Sequence, residues 1–228
     1  MRLVAGIGEL NEKPLHAALK QWYARPGDRL EVAVDGFVID IVRGDLLIEI
    51  QTGHFASIKS KLAQLLHAHR VRVIYPLVEE KWIVRHAPDD AARVVRRKSP
   101  KRGRLHDVFW ELVRIPHLLA HPNFSLELVT IRAEEAWRYV GKRQWRRRGW
   151  AVEERRLLEV LGQRLFAEPP DWRALVPEGL APFTASDLAI ALNASGKLAQ
   201  RMAYCLQRSR MIELTGKRGR ANLYGVPT

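Results

Sequence analysis

Val38-Ile39-Asp40-Ile41-Val42-Arg43-Gly44-Asp45-Leu46-Leu47-Ile48-Glu49-Ile50-Gln51 is the stretch on which the reading of this chain turns. Two runs of β-formers flank Gly44-Asp45, a dipeptide suited to a two-residue hairpin turn. With that turn Arg43 pairs with Leu46 and every further pair is fixed, so Asp40 faces Glu49 and Val38 faces Gln51. Side chains alternate along a strand, which puts Asp40, Glu49 and Gln51 on one face with opposed β-carbons roughly 5 Å apart. Ile39, Ile41, Ile48 and Ile50 are expected on the other face. Two like charges opposed across a sheet destabilise it unless the repulsion is offset. A divalent cation offsets it directly; an open, solvated strand pair is the plainer arrangement.

Working outward, Leu15, Ala18, Leu19 and Trp22 recur at helical spacing after a capping Asn11, until Arg25-Pro26-Gly27-Asp28 stops the helix. Glu12 falls within the stripe of Leu15, Leu19, Trp22 and Tyr23, which aims it toward the sheet; a first-turn acid also suits the helix dipole. After the hairpin, Phe55, Ile58, Leu62, Leu65 and Leu66 mark an amphipathic helix over residues 54–70. Strands are expected over 71–78 and 81–86 with a tight turn between them, then a solvated basic loop over 92–104. A helix from 105 to about 119 and a strand over 124–132 follow.

Helix with Glu12, strand with Asp40, strand with Glu49-Ile50-Gln51, then helix and further strands: this order resembles the PD-(D/E)xK nuclease superfamily over residues 7–86. The resemblance implies a restriction-endonuclease-like α/β fold, a mixed sheet flanked by helices. It further implies one or two Mg²⁺ (or Mn²⁺) ions held by Asp40, Glu49 and the backbone carbonyl of Ile50, with Glu12 as an accessory acid. Gln51 stands where that pattern usually has lysine. Glutamine hydrogen-bonds an attacking water but brings no positive charge. A lysine from the next helix is then expected to supply it: Lys59, at the edge of the apolar stripe, ahead of Lys61 on the other flank.

The chain of 228 residues carries a formal net charge of +13, unevenly spread. Residues 1–92 are neutral, with 12 basic and 12 acidic side chains, whereas residues 93–150 carry 15 against 5. Such an excess points to a polyanion, because each phosphate neutralised releases condensed counterions. Segments 96–104 and 142–148 are the expected phosphate contacts. No apolar run approaches the ~20 residues of a membrane span, so no membrane partner is expected. A single cysteine, Cys205, excludes an internal disulfide framework or a thiolate zinc cluster. A reducing, cytoplasmic compartment is expected.

Beyond Glu168-Pro169-Pro170-Asp171 the pattern is more legible. Thr184 or Ser186 caps a short helix, and Asn193-Ala194-Ser195-Gly196 supplies a turn. In the helix from Lys197 to Arg208, Leu198, Ala199, Met202, Ala203, Cys205 and Leu206 form one face; Lys197, Gln200, Arg201, Tyr204, Gln207 and Arg208 form the other. Two strands follow, with Lys217, Arg218 and Arg220 at the hairpin tip. Residues 182–226 resemble the winged helix-turn-helix family. That implies DNA contacts from Lys197, Gln200, Arg201 and Arg208 in the groove and from the wing on phosphate.

Two domains are therefore expected: residues 1–150, nuclease-like with basic loops, and residues 151–228, a linker helix and a winged helix. The leading function is metal-dependent hydrolysis of DNA phosphodiesters. A non-catalytic DNA-binding regulator on the same fold is the alternative, favoured by Gln51. A third version is a transposition-type nuclease subunit whose winged helix docks a protein partner. A homodimer stays open.

Overall fold

A computed structural model describes residues 13–86, 94–141 and 149–227. Glu12 and the basic segment 142–148 lie outside the described residues.

Helix α1 (Pro14–Tyr23) leads into three strands, β1 (Arg29–Val34), β2 (Phe37–Arg43) and β3 (Leu46–Ile50). After a single 3-10 turn at Phe55–Ser57 comes α2 (Lys59–Leu65), then β4 (Arg70–His86) and β5 (Val94–Lys98). Short helical turns, including α3 (Phe109–Leu112) and a 3-10 helix at Pro116–Ala120, precede β6 (Phe124–Tyr139) and β7 (Trp150–Phe166). The chain ends with α4 (Pro169–Arg173), α5 (Ala185–Ala191), α6 (Gly196–Arg208) and a hairpin of β8 (Glu213–Arg218) and β9 (Ala221–Gly225).

Seven strands make one mixed α/β sheet in the order β1-β2-β3-β4-β6-β7, with β5 beside the distal half of β4. Strand β4 runs parallel to β3 and β6, and the other neighbours are antiparallel. Helices cover both faces. Leu15, Leu19 and Tyr23 of α1 pack with Ile41, Ile48, Ile50, Ile74, Val129 and Ile131. The opposite face buries Phe55, Ile58, Leu62, Leu65 and Leu66, the stripe expected of the second helix, against Val73, Leu126 and Leu128. Burying one such side chain is worth about 1.5–3 kcal/mol, so this stripe holds α2 against the sheet. Trp22 is 45% exposed, and Tyr23 takes the buried place beside it.

Five segments differ from expectation. The first is an additional hairpin within 31–42: Asp35 and Gly36 have φ of 48° and 82°, the pair of positive values a tight hairpin turn requires. The second is β4, which runs unbroken through 79–80, taking a bulge against β6 between Val78 and Glu80 instead of a turn. The third is the supposed basic loop, of which Val94–Lys98 is strand β5 pairing with Trp82–His86. The fourth is the linker helix expected within 151–166, which is strand β7. Its Arg155 and Arg156 lie beside Glu135 and Glu134 of β6, and cross-strand partners override a helix-compatible sequence there. The sheet accordingly continues past residue 150 to Phe166. Pro116 breaks the helix expected over 105–119 into short turns.

The C-terminal helices follow the sequence closely. Thr184 caps α5 by accepting from the Asp187 amide, and Ser195 caps α6 by accepting from Leu198. All six residues expected on the apolar face of α6 are buried. They share a single core with α2 and the sheet.

Candidate active site

The β2–β3 hairpin has the register that its turn dictates: Arg43↔Leu46, Val42↔Leu47 and Ile41↔Ile48. The next pair is Asp40 and Glu49, and here the regular ladder stops. On the other side of β2 the β1 ladder omits Asp40 too, and Glu31, which would oppose it, has φ 52°. The Ile50 amide donates instead to Asp40 Oδ2 at 2.7 Å. Strand β3 is free to leave β2 at this point because β4 takes over, with Glu49↔Val73 and Ile50↔Ile74 in parallel register. The break also turns β2 over. Ile41, Ile48 and Ile50 enter the α1-side core, as expected, but Ile39 enters the opposite one.

The two carboxylates are thereby held at the point where β2 and β3 part. His16 of α1 approaches Asp40 Oδ2 at 3.3 Å. On the other flank, Lys61 of α2 donates to Glu49 Oε1 at 2.6 Å and to the Val38 carbonyl at 2.6 Å. Glu49 Oε2 is buried with no hydrogen-bond partner among the described residues. Burial, and then repulsion from Asp40, pushes the Glu49 carboxyl up to about 7; Lys61 and His16 pull the other way. Two carboxylates, a lysine, a histidine and one unsatisfied buried oxygen thus meet at this point.

The lysine is Lys61, not Lys59. Lys59 is exposed at the start of α2, away from the acids. Gln51 does not join the pair: its amide donates to the His54 carbonyl and to Ser57 Oγ, both at 2.9 Å, and stabilises the turn into α2. His16 was missed, although it lies one residue from Leu15 and one turn ahead of Leu19 on α1. Among the described residues no three His, Cys, Asp or Glu side chains are gathered for a metal ion.

At the C-terminus, Lys197, Gln200 and Arg208 are exposed on α6, as are Lys217 and Arg220 of the hairpin. Arg201 lies over the Trp110 ring of α3 at 4.7 Å. Arg218 is paired with Asp187 at 2.8 Å, so it does not stand free at the tip. The basic run 96–104 is largely spent within the protein. Arg96 pairs with Glu134, Lys98 and Arg102 with Glu80, and Arg104 donates to the Asn193 carbonyl. Cys205 is buried, its thiol pushed up to about 12 by desolvation, which makes it a core residue.

A family model described as "Domain of unknown function (DUF8091)" matches residues 13–167, which spans α1 through the last strand of the large sheet. The chain belongs to the DUF8091 family. An uncharacterised protein of Treponema pallidum (strain Nichols) is 31% identical over 220 residues, covering 96% of this chain and 86% of the relative. The DUF8091 match contains Asp40, Glu49 and Lys61, while α5, α6 and the final hairpin lie beyond it. No solved structure matches the chain. Among its described residues, no helix is long and apolar enough to cross a membrane.

Proposed function

We propose that this DUF8091 protein is a metal-dependent DNA endonuclease with a restriction-endonuclease-like sheet and a C-terminal winged helix-turn-helix module. The observation that carries the reading is the Asp40–Glu49–Lys61 constellation at the parting of β2 and β3. The element order α1-β1-β2-β3-α2-β4 and the parallel β3-α2-β4 crossover support it.

A Mg²⁺ or Mn²⁺ ion fits the donor set. Such ions take oxygen ligands and are held by one or two carboxylates, the remaining positions going to water and phosphate. Glu49 Oε2, buried and unpartnered, and the Asp40 carboxylate would hold the ion, with the Ile50 carbonyl as a further ligand. When bound, the ion would lower the pKa of a coordinated water and stabilise charge on the scissile phosphate.

The chain's own groups have distinct tasks. The Ile50 amide orients Asp40, leaving its second oxygen for other partners. Lys61 has three donors, of which Glu49 and Val38 use two. The third remains for a water or a phosphate oxygen, and the ammonium supplies the positive charge absent at Gln51. The polar face of α6 and the tip of the β8–β9 hairpin offer Lys197, Gln200, Lys217 and Arg220 to DNA.

Cleavage of supercoiled and linear DNA with Mg²⁺ or Mn²⁺ tests the reading. Wild type should cut, and Asp40→Asn and Glu49→Gln should not while still binding DNA. Absence of cutting with either metal on single-stranded, duplex and branched DNA would overturn it. A second reading, a non-catalytic DNA-binding regulator, draws on the Gln51 amide being spent in its own turn. It expects DNA binding without metal dependence.

A further inference from the structure

The distal end of the large sheet concentrates positive charge. The sequence that supplies it, residues 82–98 and 134–156, holds 13 basic against 6 acidic side chains, more than half of the chain's net +13. The four acids among its described residues are already paired: Glu134 with Arg96, Glu135 with Lys81 and Arg155, Glu153 with Arg138, and Glu154 with Arg156. No described acid of this end is left to offset the surplus.

One face of the same end is aromatic. Alternation along β6 puts Trp137 and Tyr139 on one side of the sheet. Cross-strand register sets Arg85 of β4 beside Trp137, and Trp150 of β7 opposite Tyr139. The Arg85 guanidinium lies 4.9 Å from the centroid of the Trp137 ring and 4.9 Å from that of Trp150. Tyr139 meets Trp150 edge-on at 5.6 Å. At Gly149 an added Cβ would come within 2.4 Å of the Tyr139 ring, so the glycine is what lets that ring lie against the hairpin backbone. The ring is nonetheless 47% exposed.

The Arg85 Nε is buried with no hydrogen-bond partner, a condition that among the described residues only Glu49 shares. Guanidinium donors are ordinarily spent on oxygen acceptors; here the two indole faces hold the cation in their place. One strand further out, the exposed Arg97 of β5 pairs with Ile83 and so shares the face of Arg85. Charge alone suits any phosphate backbone. An exposed ring beside stacked arginine and tryptophan adds a π-surface, which a base can use only when it is free of a duplex stack.

We propose that the face of Arg85, Arg97, Trp137, Tyr139 and Trp150 binds single-stranded nucleic acid, with a base stacked on Tyr139 and the backbone phosphates on the basic side chains. The contact involves neither α6 nor the Asp40–Glu49 pair, and it does not rest on the nuclease reading.

The test uses the full chain in EDTA, so that the outcome is independent of the metal site. Fluorescein-labelled oligo-dT and oligo-U of roughly twelve nucleotides, within the usual span of one such site, are followed by anisotropy across a salt series. Wild type should bind at low salt, and the tighter of the two tells DNA from RNA as the source of the strand. Tyr139→Ala should weaken binding at least about fivefold, the lower end for one lost stacked base. Tyr139→Phe keeps the ring and should bind as wild type does. Where Tyr139→Ala fails to fold, Tyr139→Leu carries the same expectation, since it keeps apolar bulk without a π-face. Arg97→Ala should lower the slope of log Kobs against log salt by about 0.7, the value for one single-strand phosphate. Trp22→Ala, at 45% exposure on α1, should change neither quantity. An unchanged affinity in Tyr139→Ala, an equal loss in Trp22→Ala, or an equal loss by Tyr139→Ala on duplex DNA overturns the proposal. So does wild-type protein that binds neither oligonucleotide, whether or not it binds phosphatidylserine vesicles.

Discussion

Lys61 Nζ lies 2.6 Å from Glu49 Oε1 and 2.6 Å from the Val38 carbonyl, tying α2 to both strands of the hairpin at the place where they separate. One side chain thus supports the fold and sets the charge of the candidate site. With side chains only 15% and 12% exposed, the pair is largely screened from solvent. Breaking a buried pair by removing one partner leaves the other charge uncompensated.

Lys61→Ala should destabilise the protein by about 3 kcal/mol, toward the lower end for buried pairs because both groups keep some exposure. Urea denaturation at pH 8, where Glu49 is ionised, measures it. Lys61→Arg should recover part of the loss. In the nuclease reading, cleavage by Lys61→Ala should fall by at least about 100-fold, the scale of losing one charge-stabilising donor.

Stability should decline as pH rises from about 5 to 8. The Glu49 carboxyl titrates near 7 in the folded chain, above its ordinary value of 4.5. The folded state therefore holds a proton that the unfolded state has released. Stability from this group is fully present below the unfolded pKa and is lost as pH climbs through the folded one. The shift corresponds to about 3 kcal/mol at most. Glu49→Gln should flatten this part of the profile, as followed by chemical denaturation at successive pH values.

Gln51→Ala should leave metal binding intact while loosening the entry to α2. Among the described residues its side-chain amide bonds to His54 and Ser57, both within the same turn. Loss of two ordinary hydrogen bonds costs roughly 1–2 kcal/mol. A metal affinity that fell with this substitution would place Gln51 in the site after all.

Gly103→Ala should destabilise the protein by about 1–3 kcal/mol through overpacking. The Gly103 amide donates to the Val78 carbonyl at 3.0 Å, and a Cβ there would sit 2.4 Å from that same oxygen. Thermal melting measures the loss.

The acidic pair was legible because a hairpin turn propagates its register: Gly44-Asp45 fixes the pairs as far as Ile41↔Ile48, which leaves Asp40 and Glu49 as the next residue of each strand, where the ladder ends. The faces of α6 were legible because thirteen residues give a helical period room to show. Lys61 was harder. A 3-10 turn at Phe55–Ser57 precedes α2, so a single helical phase carried from Phe55 puts Lys59 nearer the sheet than it is. The Asp35-Gly36 turn was a readable signal that a long run of β-formers concealed. Strand β7 was not readable from its own residues: Glu-Arg-Arg-Leu-Leu-Glu suits a helix, and only the neighbouring β6 makes it a strand, though Gly162 argued against a helix interior.

Calorimetric titration of Mn²⁺ into wild type, Asp40→Asn and Glu49→Gln is the most direct examination of the metal centre, since it needs no substrate. Saturable binding by wild type, abolished or weakened by at least about tenfold in each variant, is the expected result, matching about 1.4 kcal/mol or more for each lost carboxylate ligand. Equal binding by all three proteins, or none by wild type, would contradict a cation site at the parting of β2 and β3.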